Sequence, residues 1–338
     1  MSVPNTWFRD FADGQLERFA LSRACPALRA AGPHLLGIMD NELLRFARLA
    51  AAVARRAALP PSRFARPAYA PAALFAALLL RERPRLTYRG LEDLLRLSGQ
   101  LRRVFGFRVV PDHATVWRFA RRHVGPGVLD AALADTVRRA RGGVGRAAQV
   151  ALDSTGLFLS HTSRYFAWRA KRDRGQRGWL KWAFALWVGP QILLAQRVRP
   201  GPCGDFSDLP PLASAAAARM PFGQLLADAG YDSEANHRHC REGLCVDSLI
   251  PAKKRRSARV VATTPLRREM VRRLADPGVE ADRAAYRRRW QVETVMSVVK
   301  RRCGEALTAR LDETQRAQAL LRGVAYNVQR LARLAAPA

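Results

Sequence analysis

Two aspartates in the middle of the chain stand where folding alone has no use for a charge. Asp153 interrupts the apolar run 149–154, and Asp228 follows directly on the run 224–227. A carboxylate inside or just beyond a buried strand suffers a desolvation penalty unless a cation or a hydrogen-bond donor meets it, so both are candidate ligands for a hard divalent cation. Taken singly, each also fits a cap or a turn. The third acid, Glu293, lies in a helical stretch whose geometry follows from ~100° of rotation per residue. Measured from Tyr286, Arg289 falls at about −60°, Glu293 at about −20° and Lys300 at about −40°, which puts phenol, acid and two bases on one stripe. Val292, Val295, Met296 and Val299 make an apolar stripe roughly 80 to 180° away. Such a helix packs by one side and presents chemistry on another. Taken alone, Arg289 and Glu293 are equally an ordinary i,i+4 ion pair.

The elements that must bring these acids together change character along the chain. Helical patterns cover 41–58, 71–80, 88–97, 100–107 and 113–123, the last with Asp112 as its N-cap, and Leu59, Pro60 and Pro61 stop the first sharply. The glycines at 142, 143 and 145 then mark a boundary. Beyond it come strands at 149–154, 182–188 and 192–198, the last two joined by a tight turn at Gly189 and Pro190. A helix at 208–220, a strand at 224–227, a helix at 233–241 and a strand at 246–251 follow. A basic connector with its own short helix spans 253–282, a long helix 283–302, and a last helix 313–334. The order β-β-β-α-β-α-β-α predicts an α/β fold behind an all-helical N-terminal region. The expected division is a helical N-terminal region over 1–143, an α/β part over 144–305, and 306–338 as a C-terminal helix packed on the α/β part.

Charge names the partner class. With 58 basic against 28 acidic side chains, the formal net charge is +30, far beyond what solubility requires. A polyanion explains it, and binding would depend strongly on salt. In the helix at 113–123, Val116, Phe119 and Ala120 share one side while Arg118, Arg121 and Arg122 lie elsewhere, which fits a helix-turn-helix reader or a solvated basic helix. Trp117 is read as core. Arg164, Arg169, Lys171, Arg172, Arg174, Arg177 and Lys181 are read into one loop with Tyr165, Phe166 and Trp168, suited to backbone contacts and base stacking or simply solvated. Lys253, Lys254, Arg255 and Arg256 invite the same pair of readings. The most apolar window, 68–80, is too short to span a bilayer, and Arg9, Asp10, Asp13 and Glu17 break any leader-like run, so a cytoplasmic, nucleoid-associated protein with no membrane partner is expected. Five scattered cysteines point to reduced thiols. His237, His239, Cys240 and Cys245 lie too close together for tetrahedral zinc and are read as surface and core residues. Asp205, Asp208 and Asp232 are read as loop and cap residues close to the acids in sequence.

The spacing Tyr286-x2-Arg289-x3-Glu293-x6-Lys300 resembles the tyrosine-arginine-glutamate-lysine signature of bacterial insertion-sequence transposases with a DDE site. Leu152-Asp153-Ser154-Thr155 looks like that family's first aspartate motif, and Ala227-Asp228-Ala229-Gly230-Tyr231-Asp232 like its second. Residues 86–122 resemble the helical segment that precedes catalysis in many members. The resemblance implies an RNase H-like mixed five-stranded sheet with flanking helices. It implies that Asp153, Asp228 and Glu293 bind two Mg²⁺ ions, with Mn²⁺ able to substitute, while Arg289 and Lys300 hold DNA phosphates and Tyr286 orients one. Double-stranded DNA, as the element's inverted-repeat ends and as target, would be the substrate, and synapsis of two ends would need a homodimer or larger assembly. The alternatives are an inactive or domesticated DNA-binding protein and a simple nuclease of the same fold.

Overall fold

Capping and apolar periodicity set out the helices that lead to the sheet. The computed structural model describes residues 41–57, 68–159, 179–253, 262–275 and 280–335. The chain divides into one unit of Met1–Arg45 and one of Phe46–Ala338. Of the first, only 41–45 are described, where Asn41 accepts the Leu44 N–H at 2.8 Å. Helix α1 (Glu42–Ala57) buries Phe46, Ala50, Val53 and Ala54 along one face. Helix α2 (Pro71–Glu82), with proline in its first turn, is buried from Ala73 to Glu82. Thr87 caps α3 (Tyr88–Leu97), Ser98 caps α4 (Gly99–Phe105), and Asp112 caps α5 (His113–His123) by accepting the Thr115 N–H at 2.8 Å. Helix α4 ends at Gly106, whose φ of 77° is the left-handed conformation a helix stop favours.

Sequence periodicity did not anticipate the next helix, α6 (Pro126–Arg141). Its buried apolar residues are Leu129, Ala132, Leu133 and Val137, and the helix packs chiefly on the long C-terminal helix. Nor is Trp117 core: its ring is 44% exposed, with the Arg121 guanidinium 5.6 Å from its centroid. Helix α5 packs chiefly on α2 and α3 with Val116 buried, and Trp117 is exposed.

The sheet runs in the order β3-β2-β1-β4-β5. Strand β1 (Ala147–Leu159) pairs antiparallel with β2 (Trp179–Trp187), and β2 with β3 (Ile192–Pro200), through a turn where Gly189 takes a φ of 99°. Helix α7 (Leu209–Arg219) crosses over to β4 (Phe222–Leu226), parallel to β1. Helix α8 (Glu234–Arg238), extended by a wide turn at His239–Gly243, leads to β5 (Asp247–Leu249), parallel to β4. This is the mixed sheet the resemblance implied, with β1 about twice the expected length. A sixth strand joins it: after helices α9 (Pro265–Ala275), α10 (Glu280–Arg287) and α11 (Trp290–Cys303), β6 (Ala306–Leu307) pairs with the far end of β1.

Alternation along β1 separates two faces. Val150 and Leu152 join Ala183, Ala185, Leu194 and the α7 residues Leu212, Ala213 and Ala216 in the larger core. Ala151 and Asp153 point the other way, toward the side on which α11 packs against β1 with Val292, Val295 and Val299 fully buried. Roughly 1.5–3 kcal/mol for each such side chain fixes which side of α11 faces inward. Helix α12 (Asp312–Leu334) covers the edge strand β3. Asn327 accepts the Leu193 N–H at 2.8 Å and donates to Leu193 O and Thr136 Oγ1, so the edge is closed by side-chain hydrogen bonds. Among the described residues, no helix is long and apolar enough to cross a membrane.

The single long helix expected over 283–302 is broken. Arg288 and Arg289 form a turn between α10 and α11, in which the N–H groups of Arg288, Arg289, Gln291 and Val292 each donate three residues back. Two distant partners hold the joint: Gln291 Oε1 accepts the Gly189 N–H at 2.9 Å, and Arg289 reaches Asp153. Lys181 also departs from expectation. It lies within β2 opposite Gly156, with a side chain only 4% exposed, rather than in a basic loop.

Candidate active site

Strand register sets the two aspartates side by side. Ala147, Gln149, Val150 and Ala151 of β1 pair with Phe222, Gln224, Leu225 and Leu226 of β4, and continuing that parallel offset puts Asp153 beside Asp228. Neighbouring strands lie about 4.8 Å apart, and Ala151 and Asp153 share a face, as do Leu226 and Asp228. Asp228 sits just past β4, where its Oδ1 accepts the Gly230 N–H at 2.8 Å and caps a short helical turn, Ala229–Tyr231. Asp153 Oδ1 accepts the N–H of Ser154 at 2.7 Å.

Helix α11 delivers the third acid across the top of β1. Arg289 donates to Asp153 Oδ2 at 3.1 Å and to Glu293 Oε1 at 2.5 Å, so one guanidinium bridges two of the three acids. Its carbon lies 6.0 Å from the centroid of the half-buried Tyr286 ring. Tyr286, Arg289 and Glu293 therefore meet in spite of the break between α10 and α11, because Arg289 keeps near-helical angles (φ −55°, ψ −29°) as the cap of α11. Lys300 is half-buried two turns further on.

The electrostatics of the site favour the protonated form of Asp153. Burial pushes the Asp153 carboxyl up to about 6, and the negative charges of Asp228 and Glu293 add to it; the Ser154 N–H and Arg289 only partly oppose them. Burial also raises the Tyr286 hydroxyl. Hard oxygen donors with an excess of negative charge fit a divalent cation of the magnesium type by kind. By distance, no group of three His, Cys, Asp or Glu side chains among the described residues is drawn together at metal-holding range. Arg289 stands between Asp153 and Glu293 and supplies the neutralising charge.

Of the other residues singled out in sequence, Arg118, Arg121 and Arg122 are exposed or nearly so on α5, and Lys253 is exposed, its N–H donating to Asp232 Oδ2 at 2.9 Å. Lys171, Arg172 and Lys254 lie outside the described residues, as do Arg164, Tyr165, Phe166, Trp168, Arg169, Arg174, Arg177, Arg255 and Arg256. His237 is buried against Ser248 Oγ at 2.8 Å, His239 meets Ser214 Oγ at 3.0 Å, Cys240 is buried and Cys245 exposed. Asp232 is bound by Arg267 of α9, closing the loop after Asp228. Sequence reading missed the role of Lys181 and Asp205, which meet beneath β1. The available signal was a lysine flanked by Trp179, Leu180 and Trp182, where an apolar strand has no reason to hold a charge.

A family model described as "Transposase DDE domain" matches residues 146–328, and one described as "Transposase domain (DUF772)" matches residues 30–122. Among solved structures, the chain is similar to the cryo-EM structure of a piggyBac transposase synaptic complex with hairpin DNA, at 7% sequence identity and a TM-score of 0.44, covering 88% of this chain and 76% of that one. Among curated proteins none matches.

Proposed function

From the premise that this chain belongs to the transposase DDE domain family and is a transposase, we propose that it cleaves DNA at the ends of its element and transfers the freed strands into target DNA, with Asp153, Asp228 and Glu293 as the catalytic acids. The observation that supports this reading is the strand register that sets Asp153 of β1 beside Asp228 at the end of β4, with Arg289 bridging Asp153 to Glu293 of α11. Asp153, Asp228 and Glu293 would hold two Mg²⁺ ions, or Mn²⁺ in their place. When bound, the ions supply Lewis-acid stabilisation of the attacking and leaving oxygens of a phosphodiester displacement.

The protein's own groups do the rest. Asp153 and Asp228 are fixed by the backbone N–H groups of Ser154 and Gly230, so their oxygens are aimed before substrate arrives. Glu293 is 56% exposed at the side chain, placed to meet an incoming backbone. Arg289 and Lys300 engage DNA phosphates, and Tyr286 packs beside one. Arg289 then exchanges its carboxylate partners for phosphate oxygens, a swap between anions that leaves the guanidinium paired throughout. Arg118, Arg121 and Arg122 on α5, Lys171, Arg172, Lys253 and Lys254 add backbone contacts, and two or more copies act on a pair of ends.

The test is a supercoiled plasmid carrying the element ends, with and without Mg²⁺. Wild-type protein is expected to nick and join strands only with the ion. Glu293→Gln is expected to bind the same DNA with nearly unchanged affinity and to cut nothing. Cutting by that variant at the wild-type rate removes Glu293 from the mechanism, and binding without nicking by the wild type leaves a DNA-binding protein.

A further inference from the structure

Under the strand that carries Asp153 lies a second charged assembly, on the opposite face of the sheet. Ser154 has its N–H on Asp153 Oδ1, while its hydroxyl donates to Asp205 Oδ1 at 2.6 Å. One residue therefore touches both assemblies. The ammonium of Lys181, from β2, meets Asp205 Oδ1 at 2.5 Å and Asp208 Oδ2 at 2.9 Å. It also donates to the carbonyls of Gly204, at 3.0 Å, and Cys203, at 3.3 Å. Lys181 is 4% and Asp208 1% exposed at the side chain, so this charge is buried beside the carboxylates it binds.

The same Asp205 reaches the second catalytic strand. A Cβ placed on Gly230 would lie 2.9 Å from Asp228 Oδ1 and 3.0 Å from Asp205 Oδ2, so both carboxylates close on the turn that aims Asp228. Tyr231, next in sequence, is fully buried with no partner for its hydroxyl among the described residues, and the charges of Asp205, Asp153, Asp208 and Asp228 all act on it. Lys181 bridges two of these carboxylates, Asp205 and Asp208, and Arg199 pairs with Asp208 as well at 2.7 Å. A buried ammonium held by two carboxylates and two carbonyls is a rigid strut, because moving any one partner strands a charge in low dielectric.

We propose that Lys181 is a positioning residue for the catalytic acids: acting through Asp205, it fixes the Ser154 backbone that aims Asp153 and braces the Gly230 turn that aims Asp228. This rests on the transposase reading of the same site. It adds that the strength of cation binding and the rate of cutting are set from the far side of the sheet.

The experiment titrates Mn²⁺ against the full-length protein by electron paramagnetic resonance of the free ion, alongside plasmid nicking, DNA binding and thermal melting. Lys181→Met is expected to weaken Mn²⁺ binding and slow nicking by about 10- to 100-fold, the usual size for loss of a group that orients metal ligands, with DNA affinity within about twofold. Since that variant leaves the buried Asp208 and the partly exposed Asp205 each short of a partner, Ser154→Ala is the second arm. It cuts only the link from Asp205 to β1, and should shift the Mn²⁺ midpoint several-fold, while Ser154→Thr, which keeps the hydroxyl, restores it. A Lys181→Met protein that melts earlier yet keeps the wild-type midpoint and nicking rate overturns the proposal, as does a folded Ser154→Ala with a wild-type midpoint. A wild type that neither binds Mn²⁺ nor nicks overturns the transposase chemistry itself, which is a separate failure.

Discussion

Replacing Asp153 by asparagine should make the metal-free protein more stable while ending its chemistry. The carboxyl of Asp153 rises from 3.8 to about 6 on folding, chiefly through burial. At ~1.36 kcal/mol per tenfold, ionising it costs about 3 kcal/mol more in the folded chain than in the unfolded one. The sign follows from proton binding. The folded state holds this proton more tightly, so stability from this group is intact below pH 3.8, is lost as pH rises through about 6, and stays lost above it. Asparagine mimics the neutral carboxyl and removes the dependence. At pH 7.5 with a chelator present, Asp153→Asn should gain about 2–3 kcal/mol, or roughly 4–6 °C in melting temperature for a domain of this size. At pH 4.5 the advantage should shrink to about 1 kcal/mol. The side chain is 17% exposed, so solvent screening takes little from these values. Thermal melts of both proteins at the two pH values are the assay. A variant that melts at or below the wild type at pH 7.5, or one whose advantage is the same at pH 4.5, refutes the reasoning.

Two further outcomes test the surroundings of the site. Gly230→Ala should slow plasmid nicking by about 10- to 100-fold, since misplacement of ~1 Å can cost that much, because its Cβ would stand 2.9 Å from Asp228 Oδ1; melting should change little, and an unaffected nicking rate would show that the turn yields. Arg322→Met should cost about 3–5 kcal/mol in urea unfolding. Arg322 is 2% exposed, pairs with Glu82 of α2 and donates to the carbonyls of Gly304 and Ala306, so its loss strands two carbonyls between α11 and β6 and a carboxylate on α2; a loss under about 1 kcal/mol would mean that water or Arg81 replaces it.

Local spacing carried much of the fold. Asp112 caps α5, Gly189 turns the β2–β3 hairpin, and the stripe of Val292, Val295, Met296 and Val299 is buried as its period required. The failures share a cause. Helix α6 escaped notice because its narrow apolar face, Leu129, Ala132, Leu133 and Val137, is completed by α12, nearly two hundred residues away in sequence. A wheel drawn through residues 286–300 assumed one axis, whereas bonds from Gln291 to Gly189 and from Arg289 to Asp153 tighten the turn between α10 and α11.

From the sequence alone come the three acids, the arginine and lysine spaced around the third, and the cationic excess that points to a polyanion, because residue type and helical or strand period are local properties of the chain. Tertiary structure decided what faces what. The parallel register of β1 and β4 aligns Asp153 with Asp228, the packing of α11 puts Arg289 between Asp153 and Glu293, and burial in β2 turns Lys181 from one basic residue among many into a strut. Burial and charge pairing depend on segments that only folding brings into contact, and the cost of a charge is set by the dielectric around it rather than by its neighbours in sequence.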